Sequence, residues 1–98
     1  AVLKLMGPGD EAHLSFPTEG WTLALDIPVL PGLEPVLDEL DEEVVEAGGR
    51  LYLAKDSRMR PELLAAMYPR LDEWRGVRAE VDPEGRFASD MSRRLGLT

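Results

Sequence analysis

The feature that most constrains this chain is one long amphipathic segment that lies between two glycine-containing breaks. Pro31-Gly32 precedes the segment, and Gly48-Gly49 follows it, where a glycine can take the left-handed conformation that ends a helix. Its apolar residues recur at helical spacing, and the opposite face is acidic. The pattern predicts a helix from Leu33 to Ala47. The apolar positions are Leu33, Val36, Leu37, Leu40, Val44 and Ala47.

A strand is predicted on each side of this helix. Residues 21–27 alternate large apolar residues with smaller or polar ones until Pro28, and residues 50–55 form a second short strand-like run. Strand, helix and strand with short joints make a candidate βαβ unit, which is right-handed if the strands are parallel. A different pairing would leave the unit α+β without parallel strands.

The second half of the chain favours short helices. Pro61 and Pro69 each suit the first position of a helix. Ser89 can cap a last helix over residues 90–95, and the run Asp82-Pro83-Glu84-Gly85 predicts a turn before it. The predicted fold class is therefore α+β, with a strand–helix–strand unit followed by three short helices.

Composition excludes several classes of site. The 98 residues suit one compact domain or one piece of a larger one, and 44% hydrophobic residues argue against a disordered tail. Without cysteine there can be no disulfide, thiolate zinc site or cysteine nucleophile. His13 is the single histidine, so no metal site is expected. A net charge of −8 argues against nucleic-acid binding, and no apolar run approaches the ~20 residues of a transmembrane helix.

The charge is distributed unevenly along the chain. Residues 1–49 hold 11 acids and one base, whereas residues 50–98 hold 10 bases and 8 acids. This break at Gly48-Gly49 is the one domain boundary that the composition indicates, and an anionic cofactor or substrate should bind the second half. The chain also opens without Met, on Val2-Leu3-Lys4-Leu5, as though in the middle of a strand. That opening predicts a piece of a longer protein.

One charged cluster is a candidate site. Lys55-Asp56-Ser57-Arg58 follows the predicted second strand directly, at the carboxyl end, where ligands of α/β sheets bind. A lysine there can place a fixed positive charge near a developing anion. A strand-ending turn with solvated charges explains the same residues, and the pattern alone favours that plainer interpretation. Tyr52, on the same run, has a hydroxyl that needs a partner.

At this cluster the sequence resembles a known family. It is similar to the C-terminal end of the FAD-linked oxidases of the vanillyl-alcohol oxidase type, closest to the decaprenylphosphoryl-ribose oxidases and more broadly to the aldonolactone oxidases. The resemblance covers nearly the whole chain and is specific in its combination of motifs. Those motifs are residues 14–17, Gly20-Trp21 with Asp26 and Pro28, residues 48–58, residues 66–70, residues 72–74, residues 81–83 and residues 87–91.

The resemblance implies an FAD-dependent oxidoreductase that oxidises the 2′-hydroxyl of a lipid-linked ribose by hydride transfer to flavin. Residues 1–49 would end the substrate (cap) domain, and residues 50–98 would be the segment that returns to the FAD-binding domain. Lys55 would be both catalytic and cofactor-binding, beside the pyrimidine edge of the flavin, where its charge stabilises the anionic reduced flavin. Tyr52 would line the same pocket and touch cofactor and substrate.

Two departures bear on the substrate. Where close relatives have asparagine and cysteine in the strand after Gly20-Trp21, this chain has Thr22 and Ala24. The resemblance implies that both side chains face the sugar pocket, where a change of residue alters which substrate is bound. An aldonolactone or another polyol is therefore an alternative substrate. The pyrophosphate-binding loop of the family is not in these residues. The chain alone is therefore expected to be inactive and to bind no FAD, and its expected partners are the rest of the FAD-binding domain and a lipid-linked sugar.

A third reading is a stand-alone, non-catalytic interaction module that uses its acidic helix or a bared apolar face. For a fragment of the oxidase, the face that the flavin domain would cover is expected to be apolar and exposed around Leu51, Leu53, Trp74 and Val77, and this predicts self-association. The resemblance implies a place in the cytoplasm or at the surface of the inner membrane, which the segment alone does not determine.

Overall fold

The computed structural model, which covers residues 1–98, begins with a two-stranded antiparallel sheet. Strand β1 (Val2–Met6) pairs with strand β2 (Gly20–Ala24), with Val2 opposite Ala24 and Met6 opposite Gly20. The strand predicted over residues 21–27 is confirmed in its first part only. It ends at Ala24 because Ala24 already pairs with the first residue of β1, and no strand is left to pair with residues 25–27.

Helix α1 (Leu33–Glu46) forms where the apolar spacing predicts it. Its C-terminus is a Schellman cap: the N–H of Gly48 donates to the carbonyl of Val45 at 2.9 Å, and that of Gly49 to the carbonyl of Val44 at 2.8 Å. Gly48 has a φ of +72°, in the left-handed region that a side chain disfavours. The predicted glycine stop is confirmed.

The strand predicted over residues 50–55 is wrong. Residues 53–55 form a 3-10 turn, and the parallel βαβ unit does not exist, since the only sheet is the antiparallel β1–β2 pair. The physical reason lies in helix α2 (Pro61–Met67) and the residue after it. The N–H of Leu51 donates to the sulfur of Met67 at 3.4 Å, and its carbonyl accepts from the hydroxyl of Tyr68. Side chains thus satisfy backbone groups that a neighbouring strand would otherwise take.

The three short helices of the second half are confirmed, and the fold class is α+β. Pro61 occupies the first turn of α2, as predicted, whereas the next helix begins two residues beyond Pro69. Ser89 caps the last helix, with its hydroxyl accepting the N–H of Ser92 at 3.1 Å. The two further helices are α3 (Leu71–Val81) and α4 (Asp90–Arg94).

The core lies entirely in the second half of the chain, with partly buried support from α1. Only nine of the 98 residues are buried, and the accessible surface is 7172 Å². A compact monomer of 10.9 kDa exposes roughly 5,600 Å². The chain therefore leaves far more surface uncovered than a complete small domain does. The core residues are Met59, Leu63, Leu64, Met67, Tyr68, Leu71, Leu95 and Leu97.

The uncovered apolar surface is not where the sequence predicts it. Leu51, Leu53 and Trp74 are partly buried against the core. Of the four predicted residues, only Val77 is exposed. The pairing register instead gathers large apolar side chains on one face of the β1–β2 hairpin, each more than half exposed. This hairpin face consists of Leu3, Leu5, Trp21 and Leu23.

Candidate functional site

Lys55 ends the 3-10 turn, and its side chain is exposed. The ion pairs of this loop belong to Asp56 and Arg58, and the ammonium of Lys55 takes part in none of them. A lysine without a carboxylate partner keeps its full positive charge available to an anion from outside the chain. Among the charged residues of the Lys55–Arg58 segment, Lys55 alone has no ionic partner.

Asp56 organises the turn that follows Lys55. Its side chain is 5% exposed, and one carboxylate oxygen accepts the N–H of Arg58 at 3.1 Å and that of Met59 at 2.8 Å. The other oxygen accepts from the guanidinium of Arg94 at 2.6 Å. Burial opposes ionisation, but the hydrogen bonds from Met59, Arg94 and Arg58 outweigh it and hold the pKa of Asp56 below its ordinary value of 3.8. Asp56 is therefore a buried, ionised partner for Arg94.

Arg58 anchors the same loop to α1. Its guanidinium donates to Asp41 at 2.9 Å and also pairs with Asp38. Asp41 is the one charged residue that is buried as a whole, backbone and side chain together. Two residues further along the chain from Arg58, Arg60 pairs with Glu42. Part of the acidic face of α1 thus pairs with the loop instead of facing solvent. Within the block, Asp56 and Arg58 are held in ion pairs, whereas Lys55 is exposed to solvent.

Tyr52 lies at the start of the 3-10 turn with 48% of its surface exposed. Its ring packs against Phe16, with 4.9 Å between ring centroids and planes tilted by 37°. Thr22 lines a small cleft of about 50 Å³ that Phe16 also lines. Phe16 therefore links the two candidate residues, since its ring packs on Tyr52 and lines the cleft with Thr22. The other residues of the cleft are Met6, Thr18, Trp21 and Arg50.

Two candidate residues lie outside that cleft. Ala24 is exposed at the end of β2, on the same strand face as Thr22 because the two are two residues apart. Lys55 does not line the cleft. The structure thus brings two of the four candidate site residues together through Phe16 and leaves Ala24 and Lys55 at open surface.

Arg50 is a residue of this site that the sequence reasoning missed. Its guanidinium donates to the carbonyl of Ser15 at 2.8 Å and lies 5.4 Å from the ring centroid of Tyr68. Its Nε is buried without a hydrogen-bond partner, as is the hydroxyl of Ser15. Arg50 thereby ties the cleft to the core. The only sequence signal for Arg50 is its position, because it is the first basic residue after the helix-ending Gly48-Gly49 pair.

An open apolar groove of about 380 Å³ lies between α3 and α4. The groove is lined mainly by Leu14, Leu53, Trp74, Phe87, Met91 and Leu97.

No three metal-ligating side chains converge anywhere in the chain. None of its helices combines the length and the apolarity that crossing a membrane requires.

Comparison with known proteins places these features in a family. The sequence profile of the D-arabinono-1,4-lactone oxidases matches residues 31–95. The decaprenylphosphoryl-beta-D-ribose oxidase of Mycolicibacterium smegmatis is 57% identical over 96 residues, which are 98% of this chain and 21% of that protein. A Streptomyces coelicolor protein described as "Uncharacterized protein in mprA 5′region" is 59% identical over 97 residues, 98% of this chain and 26% of its own. The chain thus spans about a quarter or less of these curated relatives.

Proposed function

Because the chain belongs to the D-arabinono-1,4-lactone oxidase family, we propose that it is the C-terminal part of an FAD-dependent oxidoreductase that oxidises a sugar hydroxyl. The observation that carries this proposal is Lys55, an exposed cation without an ionic partner, which directly precedes a turn held by the ion pairs of Asp56 and Arg58. Such a cation suits a site where negative charge develops during the reaction. The identity to a decaprenylphosphoryl-beta-D-ribose oxidase favours the 2′-hydroxyl of a lipid-linked ribose as the reacting group.

The two halves of the chain take different parts in this proposal. Residues 1–49 would end the substrate domain, and residues 50–98 would return to the FAD-binding domain. The core supports this division, since all of its hydrophobic members lie between Met59 and Leu97. The ion pairs from Arg58 and Arg60 to α1 would then hold the two domains together.

An exposed, unpaired cation and a half-exposed tyrosine suit the edge of a flavin, so Lys55 and Tyr52 would supply part of an FAD site. When bound, FAD would accept the hydride that leaves the sugar carbon. Lys55 would hold its ammonium beside the pyrimidine edge of the flavin and stabilise negative charge there. Tyr52 would direct its hydroxyl into the same pocket, because half of the side chain is free and its ring is braced by Phe16. The contacts to the pyrophosphate would come from the rest of the protein.

The sugar would lie near Thr22 and Ala24, which share one face of β2. Thr22 carries a hydroxyl that can donate to or accept from a sugar oxygen, and Ala24 leaves room beside it. The family profile carries the name of an aldonolactone oxidase, and this favours D-arabinono-1,4-lactone or a related polyol as the second candidate substrate. Comparing kcat/KM of the full-length enzyme for lipid-linked ribose and for the lactone distinguishes the two.

The test of the proposal is Lys55→Ala in the full-length enzyme. Losing one preorganised cation at developing charge typically slows a reaction by ~100-fold or more. We expect stopped-flow reduction of the flavin by the sugar to slow by about that factor, with FAD content unchanged. Arginine keeps the charge on a broader, planar group, so Lys55→Arg should rescue the rate in part.

A matched control removes another exposed cation from the same half of the chain. Arg86 pairs only with Glu84 in a solvent-exposed turn, so Arg86→Ala should reduce flavin at the wild-type rate. Near-normal reduction by Lys55→Ala would refute the catalytic role. Loss of FAD from that variant would instead assign Lys55 to cofactor retention.

A further inference from the structure

The loop that carries Lys55 is closed from a distant element. Arg94, at the end of α4, donates to the Asp56 carboxylate at 2.6 Å and to the carbonyl of Met59 at 2.7 Å. The same carboxylate accepts the N–H groups of Arg58 and Met59. A planar guanidinium can hold two acceptors at fixed angles, so Arg94 fixes both ends of the turn that begins next to Lys55.

Arg94 also decides which cation neutralises Asp56. The carboxylate is buried and ionised, and an ionised buried group without a partner is strongly unfavourable. Lys55 is the neighbouring residue in the chain and has no ionic partner of its own. Without Arg94, the Lys55 ammonium is a free cation on the adjacent residue and would turn toward Asp56, so that its charge would leave the open surface.

The adjacent arginine has no such role. Arg93 is 64% exposed and pairs at 3.1 Å with Asp90, which is itself fully exposed. Surface pairs of this kind contribute little. Arg93 and Arg94 therefore carry the same charge on the same helix, but only Arg94 reaches the loop.

We propose that Arg94 is a positioning residue for Lys55: by occupying Asp56, it leaves the lysine charge free and holds the turn that aims it. The inference rests on the proposed function, in which the Lys55 charge lies beside the flavin. Its consequence is that Arg94, on the last helix, controls the reduction equilibrium of FAD without touching the cofactor.

The test measures the midpoint potential of FAD bound to the full-length enzyme, by equilibration with redox dyes. Moving a unit charge away by a few ångströms at a surface-like dielectric changes an equilibrium by about tenfold, which is about 30 mV for a two-electron couple. We expect Arg94→Ala to lower the potential by about that amount. Arg93→Ala should leave it unchanged, and Arg94→Lys should restore it in part.

A double variant separates positioning from a general effect on the fold. If Arg94 acts through Lys55, the effect of Arg94→Ala disappears in a Lys55→Ala background, because no charge remains to be moved. An equal shift in both backgrounds, or no shift in either, overturns the proposal. Loss of FAD from Arg94→Ala, Arg94→Gln and Arg94→Lys alike would also overturn it, since the pair would then hold the fold rather than the lysine.

The same measurements keep this inference distinct from the proposed function. If Lys55→Ala itself leaves the potential unchanged, the lysine does not lie beside the flavin, and the proposed role of Lys55 fails. A lowered potential in Lys55→Ala together with an unchanged one in Arg94→Ala refutes only the role of Arg94.

Discussion

The hydroxyl of Tyr68 donates a hydrogen bond to the carbonyl of Leu51, seventeen residues earlier in the chain. Tyr68 is among the most buried side chains, and burial raises its pKa above the ordinary value of 10.0, against the opposing effect of Arg50. The hydroxyl therefore stays protonated and remains a donor. This contact holds the segment before Lys55 against the core in place of a strand partner.

Tyr68→Phe should destabilise the fold by about 1–2 kcal/mol, because the Leu51 carbonyl loses its donor in a partly buried place. Urea unfolding of the 98-residue chain at neutral pH measures the difference. Tyr52→Phe is the matched control, since Tyr52 is half exposed and its hydroxyl makes no hydrogen bond within the chain. Equal stability of the two variants would show that the contact contributes nothing.

The stabilising effect of Asp56 should depend on pH. The folded state lowers the pKa of Asp56, so its contribution is present above the ordinary value of 3.8 and is lost as pH falls below it. Asp56→Asn should therefore be less stable than wild type at pH 7, and the gap should close in acid. Thermal unfolding from pH 7 to pH 3 tests this. A constant gap over that range would mean that the charge of Asp56 is irrelevant.

Two glycines should respond in opposite directions to alanine. Gly48 has a φ of +72°, which alanine disfavours, so Gly48→Ala should destabilise by about 1 kcal/mol. Gly76 lies inside α3 with open space around the position of a Cβ atom, so Gly76→Ala should stabilise by up to about 1 kcal/mol. Unfolding of both variants in urea gives the comparison, and shifts of the same sign would contradict the assigned backbone conformations.

The hairpin face should drive association of the 98-residue chain. Leu5 and Trp21 pair across the two strands, and each is 68% exposed. An isolated two-stranded sheet is marginal in water, and a second copy of the hairpin could cover this surface. We expect concentration-dependent association in sedimentation velocity, reduced by Trp21→Ser.

Val81→Ser is the control for association, since Val81 is an exposed apolar residue at the end of α3 that does not belong to the hairpin face. It should leave the association unchanged. A wild-type chain that stays monomeric at high concentration would contradict the prediction.

Elements stabilised by near neighbours were predictable from the sequence alone. The Schellman cap at Gly48 and the Ser89 cap of α4 each involve groups within six residues of one another. Pro61 likewise marks the first turn of α2 without help from other elements. Local composition therefore determined the helices, the turns and the α+β class.

Only the tertiary structure decided the path of residues 50–55. Their strand-like pattern is real, but a strand needs a partner, and Met67 and Tyr68 satisfy the backbone of Leu51 instead. The candidate site likewise has one part that the sequence identified and one part that only the tertiary structure decided. Sequence and resemblance singled out Lys55, yet its freedom from ionic partners depends on Arg94, which occupies Asp56 from 38 residues away. Contacts over such distances follow from how helices pack, and no local pattern encodes them.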